Sequence, residues 1–225
     1  LQALLRFLRR PELTALNLRP ILVSDCKMIT PQAVAACHDN GLFYLGPWAQ
    51  NGAITDVLKS VSEVELAAHP LGYRPCRQAQ DADFVPYCGV WRSFEVTVPP
   101  PKGTQNPAAV FTDRVLVVWS AGKARLDAEK RRTYLKRLLD GLQSIGRQLN
   151  RGRYAKRDYV VQRIGHLRRG NPAQRLVQVD LQGSDKELRL KFRLDRERLA
   201  AARAVDGRYA LGTNAEHLSA DEALR

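Results

Sequence analysis

The stretch from Ile21 to Gly46 constrains the fold more than any other part of the chain. A short apolar run, "ILVS", follows Pro20 and ends at the single carboxylate of Asp25. Thr30 and Pro31 then read as a helix start, because the hydroxyl caps free amides and the proline sits in the first turn, where its missing N–H costs nothing. Asn40-Gly41 is a helix stop. "LFYLG" follows as a second run of strand type. Strand, Asp25, helix and strand make an α/β unit. Asp25 then lies just past the carboxyl end of a strand, where open α/β sheets bind ligands. Taken by position alone, the same aspartate also reads as a chain-turning residue that accepts backbone amides.

The rest of the chain divides by pattern. "LQALLRFLRR" places Leu1, Leu4, Leu5 and Leu8 at helical spacing and is closed by Pro11. From about residue 49 polar and proline-bearing stretches surround two runs of strand type, "WRSFEVTV" and "RVLVVWS", so this part reads as loop-rich and partly β. A long helix follows from Ala121, with Leu126, Tyr134, Leu138, Leu142, Ile145 and Leu149 near one face. Val177, Val179 and Leu181 alternate with polar neighbours, "GSD" turns the chain, and Leu188, Leu190, Phe192 and Leu194 alternate again, which predicts a β-hairpin. "RERLAAARA" reads as a short helix, and "DGRYALGTN" as a turn and a strand. Ser219 three residues before Glu222 forms a capping-box pattern at a final helix. Trp48, Trp91 and Trp119 are expected in a core or at a domain junction.

Charge narrows the partner. Thirty-six Lys and Arg against 23 Asp and Glu leave a net +13, spread along the chain, and the natural complement is a polyanion, nucleic acid first. The densest basic stretch runs from Lys123 to Arg157. Within it Lys130, Arg131, Arg132, Lys136, Arg137, Arg151, Arg153, Lys156 and Arg157 are candidate phosphate contacts, while a solvated helix face is the plain alternative. Tyr154 and Tyr159 flank its most basic part and read as half-buried core more readily than as base-stacking platforms. The cysteines at 26, 37, 76 and 88 contain no C-x-x-C pair and, with four scattered histidines, complete no zinc spacing, which fits reduced thiols in a cytosolic protein. Cys37 and His38 are adjacent on a short helix and point to different faces, so they do not share a metal. No apolar run reaches the roughly 18 residues needed to cross a bilayer.

Three segments occur in an order that resembles bacterial insertion-sequence transposases of the DDE class: "LVSDCKMITPQAVAACHDNGLFYLGPW", "RVLVVWSAGKARLDAEKRRTYLKRL" and "DGRYALGTNAEHLSADEAL". The resemblance is to the branch whose RNase H-like core is interrupted by a long, partly β insertion, and it spans nearly the whole chain. It implies an α/β fold with a mixed sheet: residues 1–48 as the first part of the core, 49–205 as an insertion carrying the long basic helix and the hairpin, and 206–225 as the return to the core. The family pattern D-x-x-M-x-(S/T) falls on Asp25, Met28 and Thr30, which implies that Asp25 is the second catalytic aspartate and a metal ligand. Cys26 and Lys27 depart from the Arg-Gly pair that often follows it.

The implied chemistry is DNA cleavage and strand transfer by in-line phosphoryl transfer, assisted by two Mg²⁺ or Mn²⁺ ions that three carboxylates hold. The family's first aspartate lies on an earlier strand and its glutamate on a later helix, and this chain matches neither. Asp206 opens a turn and Glu222 fits a cap, so neither substitutes. The expectation is therefore an internal piece of a transposase, holding one ligand of three and inactive alone, with the metal bound only in a complete site. Its implied partners are double-stranded DNA at element ends and target, with a homo-oligomer in the full-length protein and no membrane. Its implied setting is the bacterial cytoplasm, at the nucleoid. Two other classes stand beside it: a nucleic-acid-binding module or relic without catalysis, and an unrelated basic α/β protein that binds RNA or another polyanion.

Overall fold

A computed structural model describes residues 20–25, 28–76, 82, 84–100 and 107–225. The amphipathic segment at the start, together with Cys26 and Lys27, lies outside the described residues. The chain forms two compact units: one comprises the described residues up to 121 together with 207–225, the other 122–206.

The first unit is built on a mixed sheet of five strands, β1 (Ile21–Val23), β2 (Phe43–Pro47), β3 (Cys88–Val98), β4 (Ala109–Trp119) and β7 (Arg208–Thr213), in the order β1-β2-β7-β4-β3. Strand β1 (Ile21–Val23) leads through helix α1 (Pro31–Asp39) to β2 (Phe43–Pro47), and these two strands pair in parallel, as a helical crossover requires. The local signals act as the sequence suggests. The Thr30 hydroxyl accepts the Ala33 amide at 3.2 Å, Pro31 opens the helix, and Gly41 takes the left-handed backbone after it (φ 61°). All other ladders of the sheet are antiparallel.

Strands β3 (Cys88–Val98) and β4 (Ala109–Trp119) pair along their whole length, and β7 (Arg208–Thr213) inserts between β4 and β2. The sequence assigns β3 and β4 to an insertion separate from the core. The structure joins them to the same sheet as β1 and β2, and the chain leaves this unit only after residue 121. The reason is visible in β4, where Val115, Leu116, Val117 and Val118 are all fully buried: a strand apolar on both faces has to be central.

Alternation sorts the sheet into two faces. On one, Val34 and Cys37 of α1 pack with Ile29, Leu42, Tyr44 and Val96. On the other, Leu45, Leu116, Val118 and Leu211 pack with Ala223 near the chain end. Two helices occupy the stretch that reads as loop: α2 (Gly52–Ser60), capped by the Asn51 side chain on the Ile54 amide at 2.9 Å, and α3 (Glu63–Ala67), capped by Ser62 on Glu65 at 3.0 Å. The buried guanidinium of Arg208 donates to the carbonyls of Leu58, at 2.7 Å, and Val61, at the carboxyl end of α2. The Ser219–Glu222 box forms, with the Glu222 amide donating to the Ser219 hydroxyl at 3.2 Å and the Ser219 amide to the Glu222 carboxylate at 2.9 Å. The box opens a single 3₁₀ turn, Glu222–Leu224.

The second unit packs helix α4 (Ala121–Gln148) and α5 (Arg157–Arg168) against a hairpin of β5 (Val177–Gln182) and β6 (Arg189–Leu194), followed by α6 (Arg196–Arg203). Its core is Leu138, Leu142, Ile145, Val160, Ile164, Val177 and Leu188. Only the later half of α4 is therefore buried. Leu126 and Tyr134, which the helical pattern places on the same stripe, are exposed. Among the described residues no helix is long and apolar enough to cross a membrane.

Candidate functional site

Asp25 stands where the parallel ladder ends. The Ser24 amide still donates to Leu45 O at 3.1 Å, and the Asp25 carbonyl then accepts the Met28 amide at 3.1 Å, closing a turn toward α1. The residue is exposed, as is Met28, while Ile29 is buried. Among the described residues no group of three or more His, Cys, Asp or Glu is arranged to hold a metal ion. Asp25 thus has the position of a ligand at a strand end, but the described residues do not complete a two-ion site around it. The described residues offer magnesium no further carboxylate set beside Asp25.

The floor beside this turn is made by two glycines. Gly46 and Gly212 are direct partners across β2 and β7, so both would point a side chain to the same face. A methyl on Gly46 would meet Ser24 O at 2.7 Å, and one on Gly212 would meet the Trp48 Nε1 at 1.9 Å. Only hydrogen fits at either place. Trp48 is held further by an edge-to-face contact with Phe94, at 5.6 Å between centroids. The Trp48 indole N–H and the Ser24 hydroxyl are both buried without a hydrogen-bond partner among the described residues.

A buried polar network, unanticipated in the sequence, lies between α1, β2 and β4. Asp113 on β4 accepts the Tyr44 hydroxyl on one carboxylate oxygen at 2.7 Å and pairs with His38 Nε2 on the other at 2.7 Å. The Asp113 side chain is 1% exposed and that of His38 26%. Phe111 stacks on the imidazole, with ring centroids 4.5 Å apart. Burial, reinforced by the hydrogen bond to Asp113, pushes the Tyr44 phenol far above its ordinary value, and burial with the charge of Asp113 raises the Cys37 thiol. Both oxygens of Asp113 are engaged inside the protein. Its chemistry is that of a structural carboxylate that fixes the ring of His38. The signal in the sequence is a single acid inside the apolar run "AVFTDRVLVVW".

In the second unit the predicted basic residues separate into two kinds. Lys130, Arg132, Lys136, Arg137, Arg151, Arg153 and Lys156 are exposed. Arg132, Thr133, Lys136, Arg137 and Asp140 line an open depression along α4, which sets three cations within two turns of helix. Arg131 and Arg157 are not part of that surface. Arg131 forms a bidentate pair with Asp206, one of its two bonds at 2.6 Å, so that Asp206 is an anchor for α4 as well as a turn residue. Arg157 donates to the carbonyls of Gly183 at 2.7 Å and Leu181 at 3.0 Å and holds the hairpin turn. Tyr154 and Tyr159 pack edge to face on each other, with centroids 5.1 Å apart, which occupies the rings within the fold. No family model, no curated protein and no solved structure matches this chain.

Proposed function

We propose that the chain is part of a DNA transposase with an RNase H-like core: Asp25 supplies one carboxylate of the catalytic set, and the basic second unit grips duplex DNA. The observation that supports this most is the unit β1, Asp25, α1, β2. It has a parallel strand pair, a helical crossover, and an exposed carboxylate in the turn where β1 ends. The pattern of Asp25, Met28 and Thr30 sits in that turn, with Thr30 capping α1. Exposed cations of α4 that pair with no carboxylate among the described residues supply the second support, since Lys and Arg on a helix face are suited to phosphate oxygens.

Divalent ions in such a site activate the attacking oxygen and stabilise the leaving one. Here the described residues bring no two further acids to Asp25, and the activity proposed for the chain alone is DNA binding without cleavage. An incomplete set of acids also favours a second reading, a DNA-binding module without catalysis. Supercoiled plasmid with Mg²⁺ tests both. The proposal expects retarded plasmid and no nicking that depends on Asp25. A chain that fails to retard plasmid rules out the transposase reading, and nicking abolished by Asp25→Ala overturns the claim that the site is incomplete.

A further inference from the structure

The hairpin of the second unit has one face committed to the core and one face of unusual composition. Val177, Val179, Leu181, Leu190 and Phe192 turn inward to α4 and α5. The register puts Gln178 opposite Arg193, Asp180 opposite Lys191 and Gln182 opposite Arg189. All six are exposed. The outer face is thus two parallel rows, amides and a carboxylate on β5 and three cations on β6, with no apolar residue between them.

From this juxtaposition we infer that the outer face of the β5–β6 ribbon enters the major groove of duplex DNA, with β6 supplying phosphate and guanine contacts and β5 reading base edges. This rests on the proposed function for its partner and adds the element that does the reading. Three physical features carry it. Strands lie about 5 Å apart and the major groove is about 12 Å wide, so a two-stranded ribbon fits with side chains on. Alternate residues on a strand are about 6.7 Å apart, which places Arg189, Lys191 and Arg193 at successive two-base-pair steps. The side-chain types are those whose hydrogen-bonding geometry matches base edges: Arg and Lys to guanine, Gln to adenine, Asp to the cytosine amino group.

The two rows are also ordered differently. On β5 the side chains are pre-set, because Gln182 Nε2 donates to Asp180 at 2.6 Å and Gln178 Nε2 to Asp195 at 3.1 Å. Arg193 uses only its Nε, donating to Gln178 Oε1 at 2.8 Å. The side chains of Arg189 and Lys191 make no hydrogen bond or ion pair with any described residue. The three cations share this face with two carboxylates, Asp180 and Asp195, and both accept from β5 amides. A-form RNA does not suit the ribbon, because its major groove is too narrow and deep for side chains to read.

The test compares the full chain with the variant Arg189→Gln, Lys191→Gln, Arg193→Gln, measuring affinity for a short random-sequence DNA duplex over a range of salt. The inference expects the slope of log K against log salt to shrink by up to about 2.7, or 0.9 for each phosphate no longer neutralised, with the melting temperature unchanged. An unchanged slope removes the ribbon from the interface. Should the variant not fold, acetylation of the unaltered chain reads the same surface: bound duplex slows modification of Lys191, and equal rates with and without duplex overturn the inference. Gln178→Ala and Gln182→Ala are expected to shift the preferred bases in a selected duplex pool while leaving the salt slope unchanged, and an unchanged preference denies β5 its reading role. Equal affinity for an RNA duplex of the same sequence also overturns it. A chain that binds no duplex DNA at all brings down the proposed function itself, an outcome distinct from ribbon failure.

Discussion

Removing the Asp113 carboxylate is the sharpest perturbation of the first unit. Asp113→Ala leaves the buried Tyr44 hydroxyl without an acceptor, at about 1–3 kcal/mol, and strips His38 of its partner. Two hydrogen bonds to a buried carboxylate are lost, one of them from a ring whose side chain is 26% exposed, for a cost of about 3 kcal/mol in all. Asp113→Asn retains the shape and one acceptor, and a change of tautomer lets His38 accept from the amide, so its cost is about 1 kcal/mol. All three tryptophans belong to the first unit, so urea unfolding followed by tryptophan fluorescence reports on that unit alone. With m near 2–3 kcal/mol per molar, the Ala variant shifts the midpoint down by about 1–1.5 M. Tyr44→Phe combined with Asp113→Ala should cost about 0.5–3 kcal/mol less than the two changes summed. A shift within about 0.5 kcal/mol of the parent, or strict additivity, refutes the idea that these groups form one network.

Alkaline pH tests the same residues. Because the folded-state phenol of Tyr44 lies above its unfolded value, the folded state holds that proton longer. The associated stability is present in full below about pH 10 and is lost progressively as pH rises from there toward the raised folded-state value; Tyr44→Phe removes its share of the decline in fluorescence-monitored melts. Gly212→Ala drives a methyl into the Trp48 indole and costs about 1–3 kcal/mol, with an altered tryptophan emission; unchanged emission and melting deny the contact. Arg131→Ala, which orphans Asp206, lowers the melting temperature of the second unit without altering DNA salt dependence. Arg132→Ala with Lys136→Ala does the reverse, reducing the slope by about 1.8. Interchange of these two phenotypes contradicts the division between anchors and phosphate-binding cations.

Much of the fold is legible locally. Thr30-Pro31 and Asn40-Gly41 mark both ends of α1, and strict alternation marks the β5–β6 hairpin, because caps and period-2 patterns act over a few residues. Helices α2 and α3 are less visible because each is short and prolines crowd the stretch after them, although Asn51 and Ser62 are ordinary caps. Membership of β3 and β4 in the main sheet depends on β4 pairing with a strand nearly a hundred residues later in sequence, as Val115 opposite Gly212 illustrates, and no local pattern encodes such a partner. The site divides in the same way. The turn position of Asp25 is set by the strand and helix around it. The separation of Arg131 and Arg157 from the other cations is set by tertiary partners, Asp206 and the hairpin carbonyls, that a count of charges does not contain.

Duplex affinity of the full chain as a function of salt bears most directly on the central claim, that exposed cations of the second unit meet DNA phosphates. With Arg132, Lys136, Arg151, Arg153 and Lys156 engaged, log K falls linearly with log salt at a slope of at least about −4.5, about 0.9 for each cation, steepening by up to about 2.7 where the β6 cations also engage, and excess RNA duplex competes poorly. A slope near zero, or equal competition by RNA or heparin, would leave a basic α/β protein with no particular claim on DNA.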